Sequence, residues 1–139
     1  MILSIRNQIP GTVTAVTPGE VMATVKTRLT GGQHITSAIT LEAVKDLGLA
    51  EGSAVQAMVK ATDVSVATGP VEGLSIRNQL AGTVADIATG GAMATLKISI
   101  DGAELTAAIT KDAVTDLGLA VGSPVVALIK STEVALAAV

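Results

Sequence analysis

The sequence contains no cysteine, no phenylalanine, tyrosine or tryptophan, and a single histidine, His34. Without cysteine there are no disulfides, thiolate metal ligands or cysteine nucleophiles, and one histidine cannot build a histidine-rich metal site. The lack of aromatic residues removes the stacking platforms on which single-stranded nucleic acids, nucleotides and sugars bind. A net charge of -3 also argues against a nucleic-acid partner, because such a partner needs a basic face.

Long hydrophobic runs are absent as well. No apolar stretch approaches the roughly 18 residues of a membrane-spanning helix. The N-terminus has no basic region followed by a long apolar stretch. We therefore expect a soluble, cytoplasmic protein with no membrane partner, for which small charged ligands remain possible.

One pentapeptide, Ser-Ile-Arg-Asn-Gln, occurs twice, at residues 4–8 and 75–79. Four of its five residues are types that normally stay solvated, so core packing does not explain the repetition. Arginine supplies a fixed fork of donors, and serine, asparagine and glutamine add more within a few residues. The stretch is therefore suited to binding an oxyanion.

The pentapeptides open two copies of one unit. Residues 4–28 match residues 75–99 with 13 identities in 25, and residues 40–64 match residues 110–134 with 15 in 25. The offset changes by one residue between these blocks, where Gly31-Gly32 faces Asp101-Gly102, and both pairs are typical of hairpin turns. We predict a first domain at 1–67, a linker at 68–73 that contains Pro70, and a second domain at 74–139.

Each unit has mainly the pattern of β-strands, because apolar residues alternate along it. The predicted inward-facing residues of the first unit are Val21, Ala23, Val25, Thr27 and Leu29, then Ile35, Ser37 and Ile39, then Val55, Ala57 and Val59. A helix of about two turns is predicted between the N-cap Thr40 and Gly48, and again between Thr110 and Gly118. About five strands and one short helix per unit predict a mainly β protein of two Greek-key antiparallel barrels. These barrels are of the oligonucleotide/oligosaccharide-binding (OB) type.

Six of the nine basic residues form matched pairs across the repeat, namely Arg6 with Arg77, Lys26 with Lys97, and Lys60 with Lys130. Lys26 and Lys97 lie mid-strand opposite the apolar face, and we interpret them as solvated surface charges. Lys60 and Lys130 end an apolar strand. We expect them to meet the pentapeptide across a sheet or a subunit boundary and to contact a ligand there.

Several short motifs recur at matching places in both units. They are the Ser-x-Arg-Asn-Gln opening, the following Gly-Thr-Val, a threonine-capped helix ending in Leu-Gly-Leu, and a terminal Val-Lys-Ala-Thr or Ile-Lys-Ser-Thr. Together they resemble the molybdenum-pterin-binding protein (Mop) domain, a TOBE-like domain also called molbindin. Because two copies cover nearly all of the chain, it is similar to a tandem-domain molbindin.

The resemblance implies a set of oxyanion-binding residues but no direct protein ligand to a metal atom. The implied set is Ser4, Arg6, Lys60 and Ala61 in the first unit, and Ser75, Arg77, Lys130 and Ser131 in the second. The family form carries a serine after the lysine, so Ala61 loses a hydroxyl contact, although its backbone N–H could still donate. Asn7 and Asn78 are also candidates, with two alternatives open: contact with the ligand, or holding of the loop.

The resemblance further implies non-covalent binding of molybdate, or of tungstate, at sites shared between the domains of an oligomer. It implies storage or homeostasis of the oxyanion in the cytoplasm, and six barrels packed with threefold symmetry. Two barrels per chain then imply a homotrimer of about 41 kDa, from three chains of 13.8 kDa. The sequence has neither a helix-turn-helix region nor a P-loop, so it resembles the stand-alone binding members.

Other classes of function have weaker support. An enzyme is not expected, because His34 has no counterpart in the second unit and is better explained as a surface turn residue. An OB-like nucleic-acid or other interaction module is the alternative, since barrels of this type often bind nucleic acid. A repeat kept only because its units bury each other's edge strands is a further alternative.

Overall fold

The computed structural model describes residues 2–139 as two halves of the same design. The first half contains β1 (Asn7–Pro18), β2 (Met22–Leu29), β3 (His34–Thr40), α1 (Leu41–Asp46), β4 (Ala54–Val59), a first 3₁₀ turn (Ala61–Asp63) and β5 (Ser65–Ala67). The second half contains β6 (Asn78–Thr89), β7 (Met93–Ile100), β8 (Ala103–Thr110), α2 (Lys111–Asp116), β9 (Pro124–Ile129), a second 3₁₀ turn (Ser131–Glu133) and β10 (Ala135–Ala138). The predicted mainly β class, with one short helix per half, is confirmed.

The strands form two curled antiparallel sheets of five strands each. Their orders are β10-β4-β1-β2-β3 and β5-β9-β6-β7-β8, so each sheet takes its last strand from the other half of the chain. Ala135 pairs with Met58, and Ser65 pairs with Leu128. An edge strand has unpaired N–H and C=O groups that can bind a further strand. The 3₁₀ turns directly precede β5 and β10 and lead the chain from one half to the sheet of the other half. The division at residues 68–73 remains a prediction, because the sheets themselves are interleaved.

The alternating apolar residues form the inner face of each sheet, as predicted. The exception is Val21, the first residue of the predicted inward-facing set. In β2 every second residue is buried, from Ala23 to Leu29, and β7 shows the same pattern from Ala94 to Ile100. Val21 is 73% exposed, because it lies in the turn before β2, where Gly19 N–H donates to Met22 C=O at 2.8 Å. The equivalent Ala92 is exposed in the same turn of the second half.

The hairpins after β2 and β7 differ in length and contact each other. Asp101 and Gly102 have φ angles of 33° and 82°, as a two-residue turn of the type favoured in β-hairpins requires. The longer loop places Gly31 against Asp101, where a Cβ would collide with the Asp101 carbonyl oxygen. Gln33 Nε2 donates to Ala81 C=O at 3.0 Å, which further joins the two halves.

The two helices begin and end where the sequence predicts. Thr40 Oγ1 accepts from Ala43 N–H at 3.0 Å, and Thr110 Oγ1 accepts from Ala113 N–H at 3.1 Å. Gly48 and Gly118, both with φ of 62°, stop the helices just beyond their last turn. No helix within residues 2–139 has the length and apolar character needed to cross a membrane.

The halves pack through the strand that precedes each helix. The first 3₁₀ turn lies against β8, and the second lies against β3. Val64 and Val134, which follow these turns, are each 2% exposed and belong to the hydrophobic core. The chain beyond each last-strand lysine is therefore anchored on the other half of the molecule.

Candidate oxyanion-binding site

The two pentapeptides lie at the ends of β1 and β6, beside the two strand-end lysines. The pairing of β1 with β4 ends at Asn7 opposite Val59, which puts Arg6 and Lys60 at the next facing position. Asn78 pairs with Ile129 in the same way, so Arg77 and Lys130 are neighbours. Antiparallel pairing thus brings one arginine and one lysine together in each half.

In the second half all four side chains implied by the family resemblance line one cavity. It has a volume of about 260 Å³ and is lined by Ser75, Ile76, Arg77, Lys130, Ser131 and Thr132. The arginine and lysine are exposed, so their charges remain hydrated and available to an incoming anion. The cavity combines two positive charges with hydroxyl donors, which is the chemistry that a small dianion requires.

The first half is arranged differently around its lysine. Lys60 lines a cavity of about 290 Å³ together with Ile5, Asp63 and the second half's Glu133, whereas Ser4, Arg6 and Ala61 do not line it. Lys130 borders a related cavity of about 180 Å³, which Asp63 and Glu133 also line. Lys130 therefore lies between the donor-lined cavity and a cavity lined by carboxylates, whereas the cavity that Lys60 lines contains carboxylates.

Both arginines fold back onto their own pentapeptides. Arg6 Nη2 donates to Leu3 C=O at 2.8 Å and Nε donates to Ser4 C=O at 3.3 Å. Arg77 repeats this with Leu74 and Ser75 at the same distances. A guanidinium has five N–H donors, so this arrangement orients the group and leaves donors for a ligand.

The asparagines of the pentapeptides connect the two halves. Asn7 Nδ2 donates to Thr106 C=O at 2.8 Å, and its Oδ1 accepts from Thr106 N–H at 2.7 Å. Asn78 makes the same pair of bonds to Thr36, at 2.8 and 2.7 Å. Both asparagines are 2% exposed. Of the two alternatives predicted for these residues, the geometry gives a holding role, and direct ligand contact by their side chains remains a prediction.

The residue after the lysine distinguishes the two halves. Ser131 Oγ is buried and has no hydrogen-bond partner within the chain, whereas Ala61 at the same place has no hydroxyl. A buried hydroxyl without a partner costs free energy, and rotation toward a bound oxyanion would supply the missing acceptor. The two candidate sites therefore differ chemically at this position.

Lys26 and His34 are exposed as predicted for surface side chains, whereas the prediction for Lys97 is corrected. Lys26 is exposed as predicted, but Lys97 is only half exposed, and its Nζ donates to Thr106 Oγ1 at 2.8 Å. His34 is exposed at the start of β3. Among the residues that the structure describes, no group of three or more His, Cys, Asp or Glu side chains could hold a metal ion.

Sequence reasoning missed the threonines that receive the asparagines. Thr36 and Thr106 lie on the outer faces of β3 and β8, and Thr106 is 9% exposed because the other half covers it. Their identity at equivalent positions of the two units was a visible signal, since outward-facing residues usually vary.

Comparison with known proteins identifies relatives of both the whole chain and the single unit. The TOBE domain model matches residues 3–66 and 74–136. The molybdenum-pterin-binding protein MopA of Rhodobacter capsulatus is 39% identical over 139 residues, which is 99% of this chain and 52% of that protein. Molybdenum-pterin-binding protein 3 of Clostridium pasteurianum is 44% identical over 66 residues, 48% of this chain and 97% of that protein.

A solved structure matches from end to end. The cytoplasmic molybdate-binding protein ModG, in a form with molybdate bound, is 40% identical, with a TM-score of 0.97 and coverage of 100% of both chains. The chain spans about half the length of the curated relatives that it matches over its whole sequence, as with the 52% of MopA.

Proposed function

Because this chain belongs to the TOBE domain family, we propose that it binds molybdate reversibly and stores the oxyanion in the cytoplasm. Tungstate, a tetrahedral dianion of the same charge, is the second ligand expected to fit. Binding is non-covalent and involves no turnover. The single observation that carries this proposal is the end-to-end match with a protein described as a cytoplasmic molybdate-binding protein with molybdate bound.

The chemistry of the second-half cavity supports an oxyanion ligand. Molybdate has only acceptor oxygens, so its site must present donors from several directions and offset about two charges. Arg77 and Lys130 supply the two charges, and Ser75 and Ser131 supply hydroxyl donors around the same cavity of about 260 Å³. We propose that Ser4, Arg6, Lys60 and Ala61 form the equivalent site of the first half.

We also propose that the functional unit is a homotrimer. Two five-stranded sheets without an aromatic residue have small cores, and apolar side chains remain exposed at equivalent places in both halves. Met22 and Met93 are 47% and 48% exposed, and Leu47 and Leu117 are each 37% exposed. Association of three copies would cover such surfaces and would place a neighbouring chain beside the first-half donors, which do not line a common cavity in one chain.

Titration calorimetry on the purified protein tests the proposal. We expect molybdate to bind with a stoichiometry above one ion per chain, because each half carries its own serine, arginine and lysine. Sulfate, which has the same charge but is smaller, serves as the matched control for size discrimination. Absence of molybdate binding, or equal binding of sulfate and molybdate, would contradict the proposed function.

A further inference from the structure

The amides of Asn7 and Asn78 pair with the backbone of β8 and β3 as a neighbouring strand would. Each side chain satisfies both the N–H and the C=O of a single threonine in the other half, at 2.7 and 2.8 Å. Two short bonds to one residue fix the plane of the amide as well as its position. Because the amides are buried, these bonds are stronger than they would be in water, and leaving their partners unpaired would be costly.

The asparagines lie one residue further along the strand pair than the two charges of each candidate site. Asn7 follows Arg6 directly in the chain and faces Val59, the residue before Lys60. The first 3₁₀ turn, which follows Lys60, rests on the same strand β8 that receives the Asn7 amide. The arginine-bearing and lysine-bearing segments of the first half therefore share one support, and that support belongs to the second half.

The second half has the reciprocal arrangement. Asn78 follows Arg77, faces Ile129 before Lys130, and binds Thr36 of β3, against which the second 3₁₀ turn packs. The threonine that supports the first half, Thr106, is itself held by a hydrogen bond, since Lys97 Nζ donates to its hydroxyl. Each half thus provides the base on which the other half's charged pair is assembled.

We propose that Asn7 and Asn78 are positioning residues of the oxyanion sites, each acting through the arginine beside it and through the strand of the opposite half. This inference rests on the proposed molybdate binding, and it assigns to the asparagines no contact with the ligand. The affinity of one half's site then depends on a hydrogen bond made to the other half, and no bound ion has to bridge the two halves.

The test uses the full chain with Asn78→Ala. We expect molybdate affinity at the second-half sites to fall by roughly tenfold or more, by analogy with metal sites, where mutation of the residues that orient the ligands costs about 10–100-fold in affinity. The first-half sites should keep the wild-type affinity. In the Arg77→Ala background, Asn78→Ala should cause a smaller loss than in the wild-type background, because the arginine through which Asn78 acts is already absent.

A second measurement does not depend on the ligand. The ¹H–¹⁵N heteronuclear NOE of Arg77 Nε should be high in the wild-type protein, where this group bonds to Ser75 C=O, and should drop in Asn78→Ala. Val84→Ala is the matched control, because Val84 is a 1% exposed core residue of the same strand. It should lower the melting temperature and leave both the NOE and the molybdate affinity unchanged.

The outcomes separate the two proposals. Failure of the wild-type protein to bind molybdate would refute the proposed function, while the NOE comparison would still decide whether Asn78 positions Arg77. An unchanged affinity and NOE in a destabilised Asn78→Ala would overturn the inference and leave Asn78 a purely structural residue. If the alanine variant fails to fold, Asn78→Asp preserves the volume and one bond while placing an oxygen against Thr36 C=O. The same drop in the NOE is then expected, and the NOE alone decides, because the added negative charge by itself weakens the binding of a dianion.

Discussion

Arg77→Ala removes one of the two positive charges that line the second-half cavity. In the structure this guanidinium gives two of its N–H groups to Leu74 and Ser75, so no more than three remain for an oxyanion. A planar guanidinium usually binds an oxyanion through two parallel N–H···O hydrogen bonds. The substitution therefore deletes about two charge-assisted hydrogen bonds and half of the charge that balances the dianion.

The size of the effect follows from these bonds. Hydrogen bonds to charged groups contribute about 1.5–3 kcal/mol each, and the exposure of Arg77 favours the low end of that range. Two such bonds contribute about 3 kcal/mol, of which part is recovered by water that replaces the side chain. We expect the dissociation constant for molybdate at the second-half sites to rise by roughly tenfold to a hundredfold.

Titration calorimetry of wild-type and variant proteins measures this change. Arg28→Ala is the matched control, because it changes the net charge by the same amount. Arg28 is exposed on β2, and the second half has Ser99 at the equivalent position. It should leave the dissociation constant unchanged within about twofold, since Arg28 does not line the second-half cavity and salt screens the interactions of exposed charges. Unchanged affinity in Arg77→Ala, or an equal loss in Arg28→Ala, would refute the assignment of Arg77 to the site.

Further predictions concern the asymmetry of the halves, the core, assembly and selectivity. Ser131→Ala should weaken molybdate binding and Ala61→Ser should preserve or strengthen it, as read by calorimetry; the opposite order would contradict a role for the hydroxyl. Ser37→Ala should raise the melting temperature by a few degrees, because the Ser37 hydroxyl is fully buried without a partner and the second half has an alanine, Ala107, there. A lower melting temperature would show that the hydroxyl is satisfied. Light scattering at micromolar concentration should give about 41 kDa, three chains of 13.8 kDa, and molybdate should raise the melting temperature of this species; a stable monomer would contradict the trimer. Labelled oligonucleotides should show no mobility shift at about 0.15 M salt, and a salt-sensitive shift would favour the nucleic-acid alternative.

Much of the fold was predictable from the sequence because local rules govern it. The alternation in β2 and β7 marks the buried face, since consecutive side chains of a strand point to opposite sides. Thr40 and Gly48 bound the first helix through a side-chain cap and a left-handed backbone that glycine adopts easily. The duplicated pentapeptide likewise pointed to a duplicated site, and the register of β1 with β4 brings its arginine to the strand-end lysine.

The exchanged strands and the asparagine bonds were decided only by tertiary structure. Ser65–Ala67 and Ala135–Ala138 are short and poor in distinguishing side chains, so nothing local selects which sheet edge each one joins. That choice depends on where the 3₁₀ turns deliver the chain after packing on β3 and β8. Asn7 and Thr106 lie 99 residues apart, and a bond over that separation exists only once both sheets have formed. The sequence by itself determined the repeated unit, its strands and its charged residues, while the packing of one half on the other determined what holds those residues in place, because that depends on contacts between distant residues.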